Sequence, residues 1–125
     1  MKKTKILYWV ATGIVSLMML YSGYLYLVSP DIAEGFVHLG FPNYFRVELG
    51  LAKIGGGILL LAPIKGRFNE WLYAGFTITF ISAFVAHISA GDPLSKAIAP
   101  IVFLAILAGS YMAYHKLEEQ KMAEN

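Results

Sequence analysis

Four long apolar runs, joined by connectors too short to build a layer of their own, decide what this chain can fold into. They are Ile6–Val28, Tyr44–Ala62, Trp71–Ala90 and about Leu94–Tyr114. Each comes close to the ~20 mainly apolar residues that a helix needs to cross the hydrocarbon core of a bilayer. Inside lipid every backbone N–H and C=O must find its partner within the segment, so runs of this length read as helices. With 58% hydrophobic residues in 125 and a mean hydropathy of +0.61, the chain carries more apolar surface than one small soluble core can bury. The excess must face lipid. The sequence predicts an all-α fold, a four-helix transmembrane bundle made by a single domain over residues 1–125, with a short amphipathic helix in the first extracytoplasmic loop. The charged stretch 115–125 reads as a solvated helical extension that frays.

The start, Met1-Lys2-Lys3-Thr4-Lys5 before an apolar run, has the look of a signal peptide. The run is too long, however, and lacks an A-x-A-like site, so it is expected to remain as the first span. Orientation follows from the cations. Lys2, Lys3, Lys5, Lys65, Arg67, Lys116 and Lys121 fall on one side of a four-span arrangement, and only Lys96 lies in the loops of the other. By the positive-inside rule both termini are cytoplasmic, in a bacterial-type inner membrane. Tyr21, Tyr24 and Tyr26 near the outer end of the first span, with Trp9 and Trp71 toward the inner side, suit aromatic interface belts. The pI near 8.8 is explained by these topology signals, and nucleic acid is not an expected partner.

In the first outer loop Ser29-Pro30 can cap and open a helix that Gly40 can close. Ile32, Phe36 and Leu39 share one face of it, and Asp31, Glu34 and His38 another. It reads as a connector lying on the outer membrane surface, the alternative being a lid over a cavity.

The second span is the unusual one, because Arg46, Glu48 and Lys53 interrupt a segment of Leu, Ile, Ala and Gly. Each ionised residue near the bilayer centre costs at least ~2.5 kcal/mol on insertion scales, so it is expected to face protein or water. Arg46 is close enough to the interface to snorkel, whereas Lys53 lies near the middle. Arg46, Gly50, Lys53 and Gly57 form one stripe, and Glu48, Ala52 and Gly55 another on nearly the opposite side. A helix with small and polar residues on two sides is expected at the centre of the bundle. Glu48 and Lys53 are badly placed to pair with each other, so each either meets another helix or lines a ligand site.

In the third span Gly75, Thr79, Ser82, Ala86 and Ala90 read as the helix-packing face, and Tyr73, Phe76, Phe80, Phe84 and His87 as an aromatic stripe, packed or facing lipid. His87 is a candidate to bind a polar head group or relay a proton. Asp92, in Gly91-Asp92-Pro93, reads first as the cap of the fourth helix, and Pro100 as a kink that opens space near the charged residues. The candidate ligand-binding set is therefore Glu48, Lys53, His87, Arg46 and Asp92. His38, His87 and His115 lack i, i+4 spacing, so neither a metal nor a haem is expected. The chain has no cysteine, which removes disulfide exchange and thiolate ligation from its own chemistry.

Read in order, His38-Leu39-Gly40-Phe41-Pro42, Tyr44-Phe45-Arg46, Leu49-Gly50-Leu51-Ala52-Lys53, Glu70-Trp71, Tyr73-Ala74-Gly75-Phe76, Ala86-His87 and Gly91-Asp92-Pro93 resemble the DoxX-like membrane proteins over nearly the whole chain. The resemblance implies a four-helix membrane bundle and an association with quinol oxidases or membrane oxidoreductase complexes; it brings no general catalytic set. Two functions are thus expected to compete. One is an accessory subunit of a membrane redox complex, or a binder of a small lipophilic ligand such as a quinone. The other is an enzyme on a lipid-soluble substrate, or an assembly protein that grips partner helices or a second copy of itself.

Overall fold

The computed structural model describes residues 2–62 and 66–124; Lys65, one of the cations on which the expected orientation rests, lies outside the described residues together with Pro63 and Ile64. The fold is all-helical. In chain order the helices are α1 (Lys2–Val28), α2 (Pro30–Leu39), α3 (Asn43–Leu61), α4 (Arg67–Ser89) and α5 (Leu94–Glu124). Each apolar run falls within one helix, give or take a residue at its end. α5 continues unbroken through the charged tail, whose Lys, Glu and Gln are good helix formers. The small helix α2 has the bounds its sequence predicts, although the Ser29 side chain makes no cap hydrogen bond: Ser29 is extended, Pro30 opens the first turn, and Gly40 takes the left-handed conformation at φ 88° that closes it.

By length and composition α1, α4 and α5 can each cross a membrane. The four-span expectation is not met on that measure, because α3 packs Arg46, Glu48 and Lys53 into 19 residues.

α3 is not the central helix either. α1 packs along both α3 and α5, α4 packs along α5, and α3 and α4 scarcely touch, so the four long helices form a ring with one open seam. Glycine explains why α3 is drawn to α1. A Cβ on Gly23 would lie 2.7 Å from the Gly50 carbonyl oxygen, and one on Gly57 would lie 3.1 Å from that of Ser16. Backbones this close leave no room for side chains. The stripe Gly50, Lys53 and Gly57 is therefore buried against α1, while Glu48 and Ala52 face outward and a Cβ on Gly55 would meet nothing within 4 Å.

On α4 the small-residue face is not the packing face that the sequence suggests, and of the two readings of the aromatic stripe the packed one holds for Tyr73, Phe76 and Phe80. Tyr73, Phe76 and Phe80 are core residues, buried with Val15, Met19, Leu60 and Leu107. Gly75 and Ser82 are exposed, and a Cβ on Gly75 would meet nothing within 4 Å. Small residues help only where a neighbouring backbone comes close, and α3 stays away from this face. Rings fill the longer distances instead, with Phe80 stacked on Phe103 of α5 at 6.1 Å. A buried chain of hydroxyls joins three helices: Thr12 Oγ1 lies 2.5 Å from Ser110 Oγ, which lies 2.7 Å from the Tyr73 hydroxyl. Opposite the α2 end, His115 Nε2 meets Glu70 Oε1 at 2.5 Å and ties α5 to α4.

Candidate functional site

At the α2 end the open seam widens into a cavity of about 430 Å³, bounded by all four long helices and covered by α2. Farther along the seam the Phe76 ring fills the space in front of Gly56, where an added Cβ would lie 2.6 Å from Cζ. Above that point α4 turns Thr79, Ser82, Ala83 and Ala86 toward the space, and α5 turns Ala99 and Pro100. These small side chains make the room. A second hollow of about 180 Å³ follows the seam between α3 and α4 and shares Leu49, Lys53 and Thr79 with the first. Phe36 and Leu39 of α2 line the cavity, and Phe36 is buried edge-on against Tyr26. α2 therefore lies over the cavity with Phe36 and Leu39 turned toward it.

Of the candidate residues, the structure places Lys53 and His87 on the cavity wall. Lys53 is 8% exposed. Its ammonium donates to Ser22 Oγ at 3.1 Å and to the Tyr26 hydroxyl at 2.8 Å, and lies 3.9 Å from the centre of the Tyr26 ring. All its partners are neutral.

Arg46 and Glu48 lie elsewhere. The Arg46 guanidinium donates to the Tyr26 carbonyl and, at 2.7 Å, to Asn43 Oδ1. It thereby serves one of the carbonyls that the last turn of α1 leaves without a helical partner, and fixes the start of α3 to the end of α1. Glu48 is on the exposed face of α3, away from the cavity lining.

Asp92 is not the helix cap that the sequence suggests. α5 opens at Leu94, and the Pro93 carbonyl accepts from the Lys96 N–H at 3.0 Å. The Asp92 carboxylate instead joins two histidines: Oδ2 accepts from His87 Nδ1 at 2.7 Å and Oδ1 from His38 Nε2 at 2.8 Å. An ionised carboxylate only accepts, so both facing ring nitrogens carry protons, and in the neutral His87 ring Nε2 is left as an acceptor. This clasp fastens α2 to the α4–α5 connector. His38 is absent from the candidate set read from the sequence because 54 residues separate it from Asp92, and helical spacing says nothing at that range. The one available signal was that both lie in connectors on the same side.

The two hydrogen bonds, that from His87 foremost, hold the Asp92 carboxyl below its usual 3.8. A depressed native value means that the carboxylate favours the folded state above the unfolded-state value, and that this contribution disappears as pH falls through the native value. Thermal unfolding in detergent should therefore show a stability loss on acidification through and below about 3.8 that is reduced in Asp92→Asn. An identical acid profile in that variant would contradict the clasp.

No curated protein and no solved structure matches the chain. The model of the DoxX-like family does match, over residues 10–110, a stretch that contains the cavity and the whole histidine clasp. The chain belongs to the DoxX-like family and is a membrane protein.

Proposed function

We propose that the chain is a four-span protein of a bacterial-type inner membrane, with both termini cytoplasmic, that binds a small lipophilic ligand in the cavity beneath α2. One observation carries this reading: the cavity adjoins the open seam between α3 and α4, and its largely apolar wall holds a buried ammonium and a histidine. A volume of about 430 Å³ lies within the range of small-molecule sites, on the order of 300–1,000 Å³. A ligand dissolved in the bilayer can reach it sideways without passing through water. α3 serves as the fourth span because Arg46 sits at its end and Lys53 is turned inward, so Glu48, about one turn from the interface, is its one outward charge within the span. Quinones belong to the ligand class, since a ring carbonyl can accept from Lys53, and with such a ligand the chain would act as an accessory subunit to a membrane redox partner.

Two measurements test this. Protein purified in mild detergent should carry a lipophile visible by native mass spectrometry, and a short-chain quinone analogue or the recovered lipophile should raise its melting temperature. Saturation a hundredfold above Kd corresponds to about 2.7 kcal/mol. Ala83→Leu and Ala86→Leu, which fill the cavity, should abolish the response, whereas Val85→Leu on the exposed face should keep it. No bound lipophile and no shift with any compound would sink the reading. Orientation is tested separately on the cysteine-free background, where Gly35→Cys should react with an impermeant thiol reagent in intact cells and Lys116→Cys should not. The opposite pattern would invert the topology.

A further inference from the structure

We infer that the ligand of this cavity is an acidic amphiphile, a single-chain monoanion of the long-chain carboxylate type, whose head group is held by the Lys53 ammonium. This rests on the ligand-binding reading and adds the charge of the ligand to it.

The first observation is an uncompensated charge. Lys53 is 8% exposed, yet its hydrogen-bond partners are the hydroxyls of Ser22 and Tyr26. An ammonium has three protons to donate, and the third has no acceptor among the described residues. No described carboxylate pairs with it: Glu48 is on the far face of the same helix, and Asp92 is taken by two histidines. A buried cation is costly unless an opposite charge accompanies it. A neutral ligand would accept one hydrogen bond and leave the charge as it is. An anion would meet both needs.

The second observation is the sign of the whole lining. Lys53 and Lys96 line the cavity and no Asp or Glu does, while His87, hydrogen-bonded to Asp92 behind it, adds a polar group without being counted as a charge. Lys96 departs from the charge bias expected from the sequence; in the fold it lies in the first turn of α5, and the other cation of that end, Arg46, is taken by Tyr26 and Asn43. The position of Lys96 on the cavity wall, exposed near the start of α5, accounts for it as a guide for an approaching anion. The walls between the cations are apolar and partly aromatic, as with Phe45, Phe80 and Phe103, which suits a hydrocarbon tail. The open seam gives that tail an exit into lipid.

The test compares dodecanoate, dodecanol and a short-chain quinone analogue as ligands of the purified protein in a neutral sugar detergent, by thermal shift and by competition. The parent should prefer dodecanoate over dodecanol by about tenfold to a hundredfold, the range expected of a hydrogen bond that gains charge assistance. Lys53→Met should lose that preference while still binding dodecanol. This variant should fold, because an apolar replacement for a buried charge is often neutral or stabilising. The comparison within the parent stands even if it does not. Equal affinity for acid and alcohol, or a preference that survives Lys53→Met, would overturn the charge assignment and leave the cavity reading intact. Binding of none of the three compounds would overturn both. Nanodiscs of phosphatidylcholine, with and without phosphatidylglycerol, identify the source of the anion: unchanged dodecanoate affinity supports the single-chain acid, and competition by phosphatidylglycerol would overturn it.

Discussion

Gly23→Leu is expected to be the most damaging single substitution on the α1–α3 contact. A Cβ at this position would already lie 2.7 Å from both the Gly50 carbonyl oxygen and Ile54 Cγ1, and leucine adds three further carbons. Neither backbone can yield without separating the helices, and with them Lys53 from its Ser22 and Tyr26 partners. Overpacking of this kind costs roughly 3 kcal/mol at the upper end of the usual range, and more where backbone is the obstacle. Gly55→Leu and Gly75→Leu provide the contrast, since nothing lies within 4 Å of a Cβ at either position. Melting temperatures in detergent should fall sharply for Gly23→Leu and stay close to the parent for the other two. Similar losses in all three would mean that α3 and α4 are packed on faces the structure leaves open.

Phe80→Ala should produce the second large loss. The ring is 4% exposed and stacks on Phe103. Removing a buried phenylalanine ring from a soluble core costs about 3–5 kcal/mol, part of it transfer from water and part the cavity left behind. For a helix that stays in lipid when the bundle comes apart, the transfer part largely vanishes. The cavity part remains, on the order of 2 kcal/mol. Ile78→Ala, two residues away at 64% exposure, should change little. A loss at Ile78 equal to that at Phe80 would restore the lipid-facing reading of the aromatic stripe.

These two substitutions also show how far the sequence could be read. Helices were legible, because hydrophobic length and the Ser29-Pro30 and Gly40 boundaries act locally and leave their mark on consecutive residues. The glycine stripe of α3 was legible as a packing surface for the same reason. Which partner it meets was not, since in lipid all apolar faces look alike, and the choice of α1 over α4 depends on Gly23 at the matching height of another helix. On α4 the sequence offered two faces suited to packing, and small residues were given the role that rings in fact fill. Among the candidate site residues, Lys53 and His87 were recognisable because polar groups at membrane depth need a reason. Arg46 was singled out on the same grounds but serves a carbonyl at the end of α1. Glu48 was singled out and faces outward. The His38–Asp92–His87 clasp could not be assembled from spacing, as it joins three segments that only the folded chain brings together.

The open seam has a mechanical consequence. The bundle consists of two leaves, α1 with α3 and α4 with α5, hinged where α1 lies along α5. Spreading the leaves would enlarge the space between them at the expense of the core contacts of Val15, Met19 and Leu60 with Tyr73, Phe76 and Phe80, and of Phe76 with Gly56. At the α2 end the leaves are bridged by the bond from His38, carried by the first leaf, to Asp92, carried by the second. That bond has a long lever arm about the hinge. A hydrogen bond between two side chains, one of them 55% exposed, therefore acts on the gap at the end farthest from the core that holds the leaves together.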